Sequence, residues 1–390
     1  MPLSLPVAAP FARVCGAGPT GLLTALALAD AGWRVQLIDP LPPQRLLDRR
    51  RAYAFTHSSR RLLERLGLWE LAAPCMVPFR QLELCDLALR QQVPFALADL
   101  GPSRGQAPDA AVGWIAQHQP LMAALLERAM AVPAITLHLG AVPAAPAQAD
   151  LEQPDLLVAA DGPHSPTREA LGIGVWQRPY GQNCLTAQVE LRGTAPDQAW
   201  ELFRPEGPFA VLPLGGQRMQ LVWSAPVRRC RQLERLDATS FLDALAGALP
   251  ARFQPDALLD SPRAFPLQLL LAQRLHRGRA VLVGESAHRC HPVGGQGLNL
   301  CWRDVAVLHQ LAQRAAGGKL RLDRLPPAYG SRRWLDLIAT IAFTDLLVRL
   351  FSNRNPLLLP LRRLILALLG RLPVLRRFSL TLMTDGLALP

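Results

Sequence analysis

Lysine is almost missing from this chain: of its 42 basic residues only Lys319 is one, and arginine supplies the rest. Against 30 acidic residues they give a net charge of +12. The arginines are dispersed, with no run of five, and no zinc-finger, basic-zipper or RNA-recognition signature accompanies them. Nucleic acid is therefore not expected as a partner. Paired metal-ligand cysteines are lacking too. The seven cysteines (Cys15, Cys75, Cys85, Cys184, Cys230, Cys290 and Cys301) contain no CxxC pair. Cys290 and Cys301 stand too far apart for a metal site, so no metal is expected, and reduced, buried thiols fit a cytoplasmic protein. The opening MPLSLPVAAPFARV has no basic start, and prolines break its apolar run, so a secretory leader is not expected. The longest uncharged run, 129–149, is interrupted by Pro133, Pro143 and Pro146. A spanning helix needs about 20 mainly apolar residues without such breaks, which excludes one here.

Half of the residues are hydrophobic, too many for a disordered chain. At 390 residues, two or three domains sharing a substantial core are expected. The 36 prolines follow no period, which excludes collagen and solenoid repeats.

The first chemical signal is GAGPTG, with Gly16, Gly18 and Gly21 in GxGxxG spacing. Val14-Cys15 precedes it, the helical run LLTALALADAG follows, and WRVQLID ends at Asp39. Strand, glycine turn, helix and strand thus follow one another in a short span. Gly16 permits the turn, Gly18 lets backbone approach a pyrophosphate, and Gly21 lets helix and strand pack. The helix N-terminus offers N–H groups to the phosphates, and Asp39 is placed to accept from ribose hydroxyls. The spacing points to a dinucleotide without choosing which.

Two later segments carry more. Residues 155–172, DLLVAADGPHSPTREALG, read as a strand ending in Asp161-Gly162, followed by a helix. Residues 279–305, RAVLVGESAHRCHPVGGQGLNLCWRDV, read as a strand into Gly284-Glu285, then a loop holding Gly294, Gly295 and Gly297, then a helix from about Leu298 to Arg314. So glycine-rich a loop lets backbone amides come close to a planar ring.

With these residues in hand, the chain resembles the single-component FAD-dependent aromatic hydroxylases (class A flavoprotein monooxygenases), and among them the ubiquinone-biosynthesis hydroxylases. RAYAFTHSSRRLLERLGLW (51–69), FRPEGPFAVLPL (203–214), QLVWS (220–224) and FTDLLVRLFS (343–352) extend the likeness from about residue 12 to the C-terminus. The resemblance implies an α/β fold: a Rossmann-like, p-hydroxybenzoate-hydroxylase-like FAD-binding domain, an antiparallel-sheet substrate domain and a helical C-terminus. It implies that Arg51 reaches the flavin ribityl–pyrophosphate region and Asp39 the adenosine ribose. Asp161 and Gly162 would lie near FAD and an arriving nicotinamide. Backbone around Gly297, Leu298 and Asn299 would hold the pyrimidine end of the ring, and His291-Pro292 would wall its reactive face. Two positions depart from the family pattern: Glu285 stands where relatives carry aspartate, and Cys301 where they commonly carry glycine.

The implied reaction puts one oxygen atom from O2 into the ring of a prenylated phenol or quinone precursor, by way of a flavin C4a-hydroperoxide. A polyprenyl reductase and a non-catalytic FAD-binding accessory protein of a quinone-biosynthesis complex are the alternatives. Because only one GxGxxG is present, NAD(P)H or another reductant would dock transiently. Strand-like runs at 80–97 and 183–226 suggest a sheet over the flavin. The expected division is 1–75, 99–182 and 268–335 for FAD, 76–98 and 183–267 for substrate, and 336–390 as a helical tail. From Thr340 onward seven arginines face two aspartates. That bias on a leucine-rich stretch suits either a helical cap or a peripheral contact with the inner face of the membrane.

Overall fold

The computed structural model describes residues 9–140 and 153–386. Alternating apolar residues put Phe11–Cys15 at the centre of a six-stranded sheet, with Ala12 and Val14 fully buried. Its order is His276–Arg277, Ala280–Leu282, Leu156–Ala159, Phe11–Cys15, Arg34–Asp39, Ile135–Leu139. All neighbours are parallel except the His276–Arg277 edge. Helix Pro19–Asp30 starts on a proline whose fixed φ suits the first helical position. It packs against the long helix Gln296–Ala316, which packs in turn on Leu325–Phe351.

A second sheet runs His288–Arg289, Arg263–Ala272, Val175–Arg192, Arg218–Pro226, Phe209–Pro213, Gln198–Phe203, Gln81–Asp86, Gln91–Ala96, with Gln254–Leu258 also paired to Val175–Arg192. Every pairing is antiparallel except Gln198–Phe203 beside Gln81–Asp86. Strand Val175–Arg192 is 18 residues long and passes without a break from the cofactor side into this sheet. Period-two side-chain alternation gives the sheet two jobs. One face, with Leu202, Leu221 and Trp223, packs on helices Val227–Glu234 and Ala238–Ala246. The other faces inward over a cavity. A small antiparallel sheet, Ala52–Phe55, Gly113–Gln117 and Met76–Phe79, flanks the same cavity.

The tail forms helices Leu359–Arg371 and Pro373–Asp385 after Leu325–Phe351. It is woven into the fold. Leu366 and Leu380 are buried with Phe203, Phe351 and Phe95. Arg362, also buried, donates to Asp86 Oδ2 at 2.9 Å from Nε, Arg376 reaches Asp99, and Asp385 binds Arg61 and Arg104. Of the arginines that suggested a membrane patch, Arg362 and Arg376 are therefore spent on internal acids, while Arg363, Arg371 and Arg377 stay exposed. Among the described residues no helix is long and apolar enough to cross a membrane.

Candidate functional site

A cavity of about 820 Å³ runs from the glycine turn to the tail helices. At its first end the three glycines divide their work. A Cβ on Gly16 (φ +101°) would lie 2.5 Å from Ala160 O, and one on Gly21 would lie 1.7 Å from Gly16 O. A Cβ on Gly18 would meet nothing within 4 Å and would project into the cavity. Two glycines thus close the protein's own turn, and the third keeps open a cradle for a ligand. Asp39 fixes that turn: Oδ2 accepts from Ala17 N at 2.7 Å and Oδ1 from Leu41 N at 2.8 Å. Each oxygen keeps a lone pair for a ribose hydroxyl. Arg49 and Arg51 line the same wall, Arg51 with its guanidinium 5.3 Å from the Phe265 ring centre.

Asp161 and Gly162 also line the cavity. The Asp161 carboxylate accepts from the Ser165 hydroxyl and from Thr167 N at 3.0 Å. Buried Arg168 donates to Pro163 O and Ser286 O, each at 3.0 Å, tying this loop to the Gly284–Glu285 turn. Gly284 N donates to Asp304 Oδ2 at 2.8 Å, beside His288 Nε2 at 2.7 Å. Arg333 donates to Asp304 Oδ1 at 2.6 Å and to Asp336 Oδ2 at 2.6 Å, and Arg303 to Asp336 Oδ1 at 2.8 Å. Burial works to raise the Asp304 carboxyl, but His288 and Arg333 hold it below the ordinary carboxylate range. Glu285 lines the cavity half-exposed, 3.7 Å from Arg289, and Cys301 reaches the wall from the long helix.

In the ring-facing loop, Gly294 and Gly295 both take positive φ, +67° and +64°, which only glycine adopts without strain. Gly297 and Leu298, in the first turn of helix Gln296–Ala316, line the cavity, and a Cβ on Gly297 would meet nothing within 4 Å. This second open cradle sits at the positive end of a long helix. Asn299 turns its side chain away from the cavity. Its amide donates to Ala54 O and Gly295 O, and its oxygen accepts from Thr56 N, the Thr56 hydroxyl and the Ser59 hydroxyl. Only its backbone is left to serve a ring. Pro292 lines the cavity, whereas His291 lies fully buried behind it. His291 Nδ1 accepts from Val293 N at 3.2 Å, so the proton sits on Nε2, 3.3 Å from Gln182 Oε1. Burial drives His291 down to about 3, which keeps it neutral. Of the expected wall pair, only Pro292 reaches the cavity.

The far end is hydrocarbon. Leu82, Leu84, Phe95, Ala210, Leu212 and Val222 point inward from the sheet and face Phe351, Leu366 and Leu369 of the tail. Among them stands Glu201. Its residue is 8% exposed, its Oε2 accepts from Gly294 N at 3.3 Å, and burial raises it to about 7. Nothing in AWELF announces it, because one carboxylate in a strand reads as an edge charge. The tyrosines offer no easy base. Tyr53 donates to His118 Nδ1 at 2.7 Å, with His118 Nε2 donating to Leu46 O, and burial pushes Tyr53 up to about 12. Tyr329 donates to Leu282 O, away from the cavity, and Tyr180 packs edge-on against His291.

A parallel nucleotide-binding sheet, two ligand cradles and a sheet-roofed apolar chamber define a flavoprotein monooxygenase. The family model for the FAD binding domain matches residues 11–82 and 147–325. The "Ubiquinone hydroxylase UbiL" of Rhodospirillum rubrum is 33% identical over 93% of this chain and 87% of its own length. The "3-demethoxyubiquinol 3-hydroxylase" of Escherichia coli is 31% identical over 94% and 96%. Among solved structures, Klebsiella pneumoniae HpxO complexed with FAD and uric acid superposes with a TM-score of 0.73 at 19% identity, covering 97% of this chain and 96% of that one. The chain belongs to the FAD-dependent aromatic hydroxylases, in the ubiquinone-biosynthesis branch, and is an FAD-dependent monooxygenase.

Proposed function

We propose that this enzyme hydroxylates the aromatic ring of a prenylated phenol on the way to a ubiquinone-type quinone. The observation that carries the reading is the single cavity joining both glycine cradles to an apolar chamber. A polar, flat ligand fits one end and an isoprenoid chain the other.

The open cradles at Gly18 and Gly297 fit FAD, with Asp39 toward the ribose, Arg51 toward the ribityl–pyrophosphate region, and Gly295, Leu298 and the Asn299 backbone around the ring. When bound, FAD supplies the redox chemistry that passes one oxygen atom of O2 to an electron-rich ring carbon. The protein's own residues position and seclude. Pro292 and the apolar sheet face exclude water, and the salt-bridged Asp304–Arg333–Asp336 cluster holds the Gly284–Glu285 turn in place.

Three finer assignments belong to the same proposal. NAD(P)H or another reductant approaches transiently near Asp161-Gly162, since the chain has a single dinucleotide fingerprint. Exposed Leu357, Leu364, Leu372, Val374 and Phe378, with Arg363, Arg371 and Arg377 among them, rest on an anionic membrane surface. Each such arginine contributes about 1 kcal/mol near an anionic leaflet. The enzyme then works at the inner face of the membrane, within a quinone-biosynthesis assembly. The residues 336–390 serve as its helical platform, with 1–75, 99–182 and 268–335 for FAD and 76–98 and 183–267 for substrate.

Purified protein should be yellow, consume NAD(P)H and O2 faster with a short-tailed prenylphenol, and yield a product heavier by one oxygen. Reductant use that ignores the phenol, with no oxygenated product, overturns the reading.

A further inference from the structure

Among the described residues of the nine-stranded sheet, Glu201 is the carboxylate that lines the cavity, on a wall otherwise built mainly from aliphatic and aromatic groups. Strand pairing fixes its place: Glu201 sits opposite Ala210 on one side and Leu84 on the other, both of which line the chamber. One oxygen is tethered to Gly294 N, within the glycine loop that leads to the ring-holding helix. The other oxygen has no partner among the described residues. Among the described residues it forms no ion pair, and Arg289, the cation of this sheet that lines the cavity, faces Glu285 instead. Its own strand and Phe209–Pro213 carry no other charged group, and Glu83 lies on the opposite face of the neighbouring strand. Asp86 of that strand is bound to Arg362. His291 is neutral and turned to Gln182, and Asp345 of the helix below is paired with Arg178 and Arg349. A buried carboxyl held by a single backbone hydrogen bond costs stability, and its second oxygen, open to the cavity, calls for a ligand that completes it.

We propose that Glu201 receives the ring hydroxyl of the substrate, orienting the ring by accepting its hydrogen bond and acting as the base that takes its proton as the ring is attacked. The assignment rests on the prenylphenol reading above. The proton passes from the phenol oxygen to a carboxylate oxygen, giving a phenolate and a neutral Glu201, with no change in electron count. The phenolate is the more electron-rich nucleophile toward an electrophilic oxygen atom. The same proton returns to the hydroxylated product's phenolate oxygen and regenerates the carboxylate. Burial makes this carboxyl a stronger base than an exposed one and places its titration near neutrality, where a general base is most useful.

The test compares binding of a short-tailed prenylphenol and its methyl ether to the FAD-loaded protein, followed by flavin fluorescence from pH 5.5 to 8.5. The wild type should prefer the phenol about tenfold at high pH, with the preference fading below about pH 7 as the carboxylate is protonated. Glu201→Leu should erase the preference, and Glu201→Gln should leave a smaller one that is flat with pH. If Glu201→Leu folds poorly, the glutamine variant decides alone: a preference that still rises with pH overturns the proposal. Full preference in Glu201→Leu, or a flat wild-type profile, also overturns it. A wild type that binds the two probes equally well, or neither, instead overturns the phenol reading on which this one stands.

Discussion

At the glycine-turn end of the cavity, the aspartates are already bonded to the protein. Asp39 holds two backbone amides, Asp161 caps its own loop, and Asp304 is locked between Gly284, His288 and Arg333. At the other end one carboxyl, with one oxygen bonded and the other open, stands among hydrocarbons. The first end is preorganised: its shape exists before any ligand arrives, and the ligand adds only the last hydrogen bonds. The second, on the proposal above, is completed by its substrate. A cofactor that stays can be met by backbone geometry, whereas a substrate that comes and goes is met by a surface with one open polar group.

The comparison breaks first at the glycines. Gly21→Val should prevent folding, since its Cβ would overlap a backbone carbonyl, while Gly18→Val should fold normally and lose only its flavin. Circular dichroism and the absorbance spectrum of the two proteins separate these outcomes, and a yellow Gly18→Val protein would show that the open cradle serves no ligand. Next, the apolar end should depend on its hidden ion pair. Arg362→Leu leaves buried Asp86 uncompensated, and denaturant melts should show a loss of about 3–5 kcal/mol. For the same reason, deleting residues 354–390 should destabilise the whole chain rather than merely detach it from vesicles.

Glu201 gives a prediction with a sign. Its folded pKa, about 7, exceeds the ordinary value of 4.5, so the neutral form is favoured by folding. Stability is intact below about pH 4.5 and is lost as pH rises through about 7. Glu201→Gln should therefore match the wild type at pH 4.5 and exceed it by about 2–3 kcal/mol at pH 8, read from urea melts at both pH values. The smallest effect is expected at Glu285. Glu285→Asp restores the family's usual residue on a half-exposed side chain and should leave flavin affinity unchanged or higher by titration.

What sequence could show follows the same division. GxGxxG, Asp161-Gly162 and the second glycine loop are local patterns whose conformational demands are written in consecutive residues, so strands, helices and cradles lay close to where they were expected. Asp304, Arg333 and Asp336 meet only because two helices pack, and each alone reads as a solvated helix charge. Two of the tail arginines were illegible for a related reason. Composition counts charges but not the face they take, and Arg362 and Arg376 turn inward to acids more than 250 residues earlier in the chain. His291 and Asn299 belong to a recognisable motif, yet backbone direction sends their side chains into the protein rather than into the cavity.

The two cradles are far apart in the order of synthesis. Gly18 leaves the ribosome early, and Gly297 emerges only after every strand of the nine-stranded sheet has passed. At roughly 5–20 residues per second, the growing chain carries its phosphate turn with no seat for a ring for on the order of half a minute. Strand Val175–Arg192 and its sheet partners can pair during that interval, so the chamber's roof is assembled before its floor. Flavin capture then falls among the last events of biogenesis. A chain released early by a stop codon ahead of Gly297 would leave the ribosome with its oxygen chemistry never armed.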